Sequence, residues 1–213
     1  MDPARRHRRD QAFALARAAE PHDPAIGGHL RRINVLVRCL ATELGLAGAE
    51  AERLGDDAML HDVGKLHVPA ALLAREGPLD AAERAIVARH TVLGEAFLRG
   101  RPGLGRAATI ARHHHERWDG GGLPDGRRGI AIPLAARITA AADLLDALAA
   151  ARPYKAAWTW DAAMAHVRAN AGGALDPGVV MAVVAADRDG RLAAAWTMAG
   201  AEASGPFTGD RAA

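Results

Sequence analysis

Histidine and aspartate side chains fall on the inward faces or at the ends of five predicted helices, and this distribution constrains the fold most strongly. Interiors of helical bundles are where such side chains converge on metal ions. One such histidine alone would more often be a satisfied core or surface residue. Together they indicate a metal site, because so many buried titratable groups would be costly to desolvate without a metal. The residues are His29, His61, Asp62, His90, His114, His115 and Asp143.

Composition favours an all-α fold of closely packed helices. Half of the residues are hydrophobic, much of this is alanine, and aromatic residues make up only 4%. A length of 213 residues fits one domain, since domains commonly contain roughly 100 to 200 residues. We expect an N-terminal extension or first helix at 1–22, a catalytic domain at 23–190 and a loosely ordered Gly/Ser-rich tail at 191–213.

Helix signals assign these side chains to individual elements. A helix is predicted from Asp23-Pro24 to about residue 44, and a second runs from about residue 49 into His61-Asp62. The spacing of Asp80 and Glu83 predicts a capping box that opens a helix continuing to residue 97, with His90 facing inward.

The remaining predicted helices lie near 103–115, 134–150, 158–170 and 177–186. The segment 117–133 contains five glycines and is too long to be a simple connector.

Charge and cysteine content exclude several classes of function. The 27 basic and 25 acidic residues leave a formal charge of +2, so no nucleic acid polymer or acidic membrane is expected as a partner. We interpret the arginines at 5–9 as a solvated N-terminus. Cys39 is alone, which excludes an internal disulfide and a cysteine zinc site and favours the cytoplasm. No apolar run approaches the roughly 18 residues that a membrane span requires.

The adjacent pair His61-Asp62 suits a site with two metal ions. On a helix the two side chains project about 100° apart, so the imidazole can bind one ion while the carboxylate bridges two. Imidazole with carboxylate fits iron, manganese or zinc better than magnesium or calcium alone. Two such ions can activate a hydroxide nucleophile and neutralise charge on a phosphate undergoing in-line attack. This arrangement predicts hydrolysis.

Three motifs occur in a specific order along the chain. Residues 61–69 read HDVGKLHVP, residues 114–124 read HHERWDGGGLP, and ADLLDAL at 142–148 is followed by RPYK at 152–155. They resemble the HDIGK…IP, HHE…DGxGYP and ADxxDAL…RPYK elements of the HD-GYP subgroup of the HD superfamily, which are bacterial cyclic di-GMP phosphodiesterases. The resemblance covers about residues 11–186.

The resemblance implies an HD-domain helical bundle with a long signature loop. It also implies that the histidines and aspartates named above bind two divalent metal ions. Iron or manganese is expected, with zinc as an alternative. Asp62 would bridge the ions and Lys65 would hold a non-bridging phosphate oxygen, which makes these two the catalytic residues. Asp146 fits a ligand-orienting carboxylate better than a metal ligand. The implied substrate-binding residues are Lys65, Asp146, Arg152 and Lys155.

Residue usage and two departures refine this prediction. Lys65 and Lys155 are the only lysines among the 27 basic residues, and both stand at motif positions. Some family members carry a glutamate where this chain has Ala25 and bind three metals, so we expect two. Leu123 replaces the signature tyrosine, which puts partner contacts or substrate fit in question.

The predicted activity is hydrolysis of cyclic di-GMP to pGpG or GMP. An alternative is an HD-type phosphohydrolase acting on another cyclic dinucleotide or nucleotide. A different class is a non-catalytic cyclic di-GMP receptor or interaction module, which the retained ligand positions disfavour. A signalling protein partner and a homodimer stay open at this point.

Overall fold

A computed structural model of the protein describes residues 3–75, 77–151 and 156–201, and these residues contain helices and no β-strand. The predicted all-α fold is confirmed. Arg152 and Lys155 lie outside the described residues. The helices are α1 Pro3–Ala19, α2 Ile26–Glu43, α3 Gly48–Ala58, α4 Ala70–Leu73, α5 Ala81–Ala88, α6 His90–Leu98, α7 Gly105–His113, α8 Leu134–Ala149, α9 Trp160–Ala169, α10 Pro177–Asp187 and α11 Arg191–Ala201, with 3₁₀ helices at Val63–His67 and Gly129–Ala131.

Two apolar clusters form the core. The larger cluster joins α2, α3, α8, α9 and α10, and it buries Ile33 and Leu36 of α2 completely. The smaller cluster joins α1, the start of α2, residues 59–63 and α7. Because α2 contributes to both clusters, the position of His29 near its start is fixed on two sides.

Several helix boundaries differ from prediction. The helix expected to run into His61-Asp62 ends at Ala58, so this pair lies in the turn that follows α3. The helix expected at 80–97 divides into α5 and α6 at Arg89. Its predicted capping box of Asp80 and Glu83 is present. Asp23 does not cap α2, because its carboxylate accepts a hydrogen bond from the Ala25 backbone N–H in the preceding turn, and α2 begins at residue 26.

The expected loosely ordered tail is partly wrong. Residues 191–201 form α11, which packs against α2 and α10 and buries Leu192 and Ala199. Only Leu192 and Ala199 of this helix are buried, so its sequence shows little of the periodic pattern that marks a core-facing helix. The last residues, 202–213, lie outside the described part of the chain.

The arginines of the N-terminus are also less solvated than expected. They belong to α1, where Arg9 is buried and Arg5 forms an ion pair with Glu52 of α3. This pairing fixes α1 against the bundle. Among the described residues, no helix combines the length and hydropathy needed to cross a lipid bilayer.

Candidate metal centre

The histidine and aspartate side chains predicted from the sequence converge in two adjoining groups. Within each group, one ligand atom from every residue lies within 4.8 Å of the others. The structure therefore brings together residues from α2, α6 and α8 and from the turns that follow α3 and α7. One group contains Asp62, His90, His114 and His115, and the other contains His29, His61 and Asp143.

Asp62 faces both groups. Its Oδ1 lies 3.1 Å from Nε2 of His90 and 3.5 Å from Nε2 of His114. Its other oxygen, Oδ2, lies 3.3 Å from Nε2 of His61. A carboxylate with one oxygen directed at each group has the geometry needed to bridge two ions.

Three histidines present the same nitrogen to the centre. Each hydrogen-bonds through Nδ1 to a backbone carbonyl, which selects the tautomer with hydrogen on Nδ1 and leaves Nε2 as the electron-pair donor. The pairs are His61 with Ala58 at 2.9 Å, His90 with Val87 at 2.7 Å and His114 with Ala111 at 3.0 Å.

His29 is oriented by a carboxylate. Its Nδ1 lies 2.8 Å from Oδ2 of Asp146, while its Nε2 lies 3.9 Å from Oδ1 of Asp143. Asp146 also accepts hydrogen bonds from Arg32 and Trp196. Burial opposes ionisation of Asp146, but the hydrogen bonds from His29 and Arg32 lower its pKa to about 2.

The expected contact of Asp146 with substrate does not agree with this environment. The side chain is fully buried and its oxygens are occupied by neighbouring donors. Its geometry fits the alternative role, orientation of His29.

The donor set fits divalent metal ions. Nε2 of His61 and Oδ1 of Asp62 are buried and have no hydrogen-bond partner within 3–75, 77–151 or 156–201. Leaving such polar atoms unsatisfied costs about 1–3 kcal/mol each, and a cation bound between the groups would remove that cost. The mixture of imidazole and carboxylate suits iron, manganese or zinc.

Lys65 lies beside the carboxylate of Asp62. Its Nζ is 2.7 Å from Oδ2 of Asp62 and 2.8 Å from Oε2 of Glu20. Burial would lower the pKa of Lys65, but Asp62 and Glu20 outweigh it and raise that pKa, so the ammonium stays charged. Burial also opposes ionisation of Asp62, yet Lys65 and His61 hold the pKa of Asp62 well below its usual value.

Close backbone contact fixes the turn that carries Asp62. A Cβ added to Gly64 would lie 1.9 Å from the His90 carbonyl oxygen and 2.5 Å from the Gly94 nitrogen. Only glycine permits this approach of the 3₁₀ helix to α6. The motif glycine thus brings Asp62 and His90 into one group.

The segment 117–133, here called the signature loop, is held by Glu116. Its carboxylate accepts hydrogen bonds from the backbone of Asp125 at 2.8 Å and of Arg127 at 3.0 Å. The backbone N–H of Leu123 donates to the His115 carbonyl at 3.0 Å, while the Leu123 side chain is 50% exposed. The loop is therefore anchored next to the His114-His115 pair. Leu123, which replaces the tyrosine of the motif, faces outward.

A further group of potential ligands, His113, Glu116 and Asp125, also lies together. Glu116 uses both oxygens on backbone N–H groups, and Asp125 forms an ion pair with Arg112 at 2.6 Å. Since these carboxylates already have partners, the group serves to hold the loop.

Three contributing residues were not identified from the sequence. Glu20 contacts Lys65, and both Arg32 and Trp196 contact Asp146. Each is 45 or more residues from its partner in the chain. No local sequence signal marks such pairs.

Comparison with known proteins identifies similar chains. Residues 14–179 match the HD domain family. The cyclic di-GMP phosphodiesterase response regulator RpfG of Xanthomonas campestris is 41% identical over 86% of this chain and 49% of its own length. The 3'3'-cGAMP-specific phosphodiesterase 2 of Vibrio cholerae is 38% identical over 81% of this chain and 33% of its own length. This chain thus spans half or less of those two relatives.

A solved structure shares the fold. The crystal structure of a cyclic GMP-AMP specific phosphodiesterase of V. cholerae superimposes with a TM-score of 0.65 at 18% identity, covering 93% of this chain and 53% of that one. At that identity, the similarity supports the helical fold.

Proposed function

The chain belongs to the HD domain family, and on that premise we propose that it is a metal-dependent phosphodiesterase hydrolysing cyclic di-GMP to pGpG or GMP. The observation that carries the proposal is the position of Asp62, whose two carboxylate oxygens face separate groups of histidines. A bridged pair of ions suits attack on a phosphodiester. The sequence similarity to RpfG supports the choice of substrate.

We assign one ion to each ligand group. His29, His61 and Asp143 would hold the first, while His90, His114 and His115 would hold the second, with Asp62 shared. When bound, two divalent ions supply water activation at neutral pH and charge neutralisation on the phosphate. Iron or manganese is the proposed metal, with zinc as the alternative.

Lys65 would bind a non-bridging phosphate oxygen. Its ammonium is charged, it is 19% exposed, and it lies 2.7 Å from the bridging carboxylate. A substrate phosphate beside Asp62 would therefore be within its reach. Arg152 and Lys155 stay assigned to substrate binding by their motif positions alone, because they lie outside the described residues.

A second candidate substrate is 3'3'-cGAMP, since relatives of similar identity are named for it. Both compounds are cyclic dinucleotides with the same phosphodiester chemistry. Specificity would then depend on recognition of one base. The exposed Leu123 side chain, at the signature tyrosine position, is the residue to vary first when testing this choice.

A non-catalytic receptor is less well supported than an enzyme. A receptor would not need two adjoining groups of ligands with His61 Nε2 and Asp62 Oδ1 left without hydrogen-bond partners among the described residues. A cytoplasmic location, a signalling partner and a homodimer remain proposals drawn from the sequence and the resemblance.

The test begins with aerobic and anaerobic purification and metal quantification. Wild type and Asp62→Ala are then incubated with cyclic di-GMP and with 3'3'-cGAMP, and products are separated by chromatography. Asp161→Ala is the matched control, because Asp161 is an exposed carboxylate in the first turn of α9.

About two metals per chain, with conversion by wild type and the control only, would support the proposal. Full metal occupancy without turnover of either dinucleotide would overturn it. If only 3'3'-cGAMP were converted, it would replace cyclic di-GMP as the assigned substrate.

A further inference from the structure

Helix α11 reaches the candidate metal centre through the side chain of Trp196. The indole N–H of Trp196 donates a hydrogen bond to Oδ1 of Asp146 at 2.7 Å. Trp196 lies beyond residues 14–179, the part of the chain that matches the HD domain family. This contact therefore adds an element to the site from outside the matched region.

Asp146 connects Trp196 to His29, a candidate metal ligand. Its Oδ2 lies 2.8 Å from Nδ1 of His29, and its Oδ1 accepts from Nε of Arg32 at 2.5 Å as well as from Trp196. The carboxylate is fully buried, so these donors fix its rotation. A carboxylate held in this way determines which nitrogen of His29 carries hydrogen and where the other points.

The position of Trp196 is itself determined by packing. The guanidinium of Arg32 lies 5.3 Å from the centre of the Trp196 ring, and the ring of Trp160 lies 5.6 Å away on centroids. Leu192 and Ala199 bury the same helix against the bundle. The indole N–H is thus directed at Asp146 by the docking of α11.

We propose that Trp196 is a positioning residue of the metal centre, which holds Asp146 so that His29 presents Nε2 to the ion shared with His61 and Asp143. The inference rests on the proposed function only in requiring that this group binds a metal. It assigns a role in metal affinity to the helix that follows the family domain.

Trp196→Phe tests the role, since it keeps an aromatic ring and removes the donor. Trp160→Phe is the matched control, because Trp160 contacts Trp196 but its own N–H donates to Asp187. The full chain is stripped of metal with a chelator and titrated with Mn²⁺, and free Mn²⁺ is followed by electron paramagnetic resonance. Circular dichroism verifies that each variant retains its helices.

Outer partners of metal-bound histidines typically contribute 10–100-fold to affinity. Because Arg32 still holds Asp146 in the variant, we expect roughly ten-fold weaker binding of one Mn²⁺ and unchanged binding of the other. Trp160→Phe should bind both ions like wild type. Wild-type affinity in Trp196→Phe, or equal weakening in both variants, would overturn the proposal.

A double substitution identifies the affected ion. His29→Ala should weaken the same ion, and Trp196→Phe in the His29→Ala background should cause no further loss, because its effect passes through His29. An additional loss there would show that Trp196 acts through general packing and would overturn the role. Metal affinity is measured without substrate, so failure to hydrolyse cyclic di-GMP would leave this inference standing.

Discussion

Oδ1 of Asp62 lies 3.1 Å from Nε2 of His90, while Oδ2 of the same carboxylate lies 3.3 Å from Nε2 of His61. One side chain therefore faces two groups of candidate ligands. Replacing Asp62 with asparagine keeps its size but removes the charge and one acceptor oxygen. We expect both ions to be lost together on dialysis, with hydrolysis falling to background, as measured by metal analysis and product chromatography. Retention of two ions would contradict a bridging role.

Lys65 is predicted to act on substrate more than on metal. Lys65→Met should lower kcat by about 10²–10³-fold, the range for loss of one charged or hydrogen-bonding group at a reacting phosphate or carbonyl. Metal content should stay at the wild-type value, since the Lys65 ammonium is a cation and no ligand. A parallel loss of metal would instead indicate that Lys65 maintains the shape of the site.

Glu20 should influence the reaction through Lys65, because its Oε2 lies 2.8 Å from Nζ of Lys65. Glu20→Gln should reduce kcat by roughly ten-fold, in the lower range for residues that support a functional group. Glu50→Gln, an exposed glutamate in the first turn of α3, is the control. Steady-state kinetics that are equal for both variants would remove Glu20 from the site.

Gly64→Ala should disrupt the contact between the 3₁₀ helix and α6. The added Cβ would meet backbone atoms of His90 and Gly94, which cannot rotate away. We expect a loss of about 1–3 kcal/mol in the free energy of unfolding, together with weaker metal binding. Gly48→Ala has open space around its Cβ and should leave the denaturation midpoint nearly unchanged. Equal stability of the two variants would refute the close packing.

Metal binding should depend on pH through His61. Burial lowers the pKa of His61, but Asp62 and Asp143 outweigh it and raise it to about 9 in the metal-free protein. His61 is then protonated at neutral pH, and a metal must displace that proton. Apparent affinity should rise as pH increases from about 7 towards 9. Calorimetry in buffers of different ionisation enthalpy should detect proton release at pH 7, and its absence would contradict the raised pKa.

The candidate ligand residues could be predicted because their signals are local. Short motifs contain His61-Asp62, the His114-His115 pair and Asp143. Helical periodicity predicted that His29 and His90 face inward. The same periodicity concealed the division at Arg89, since the apolar pattern continues from α5 into α6 while the backbone turns.

The all-α fold and the identity of the candidate ligands follow from local sequence, because residue type and helical spacing are properties of neighbouring residues. Other features required the packed fold: which oxygen of Asp62 faces which histidine, the ion pair of Glu20 with Lys65, and the hydrogen bond from Trp196 to Asp146. The contacts of Glu20 and Trp196 join residues 45 and 50 positions apart. They depend on how α1 and α11 pack against the bundle, and packing direction is set by the whole core at once.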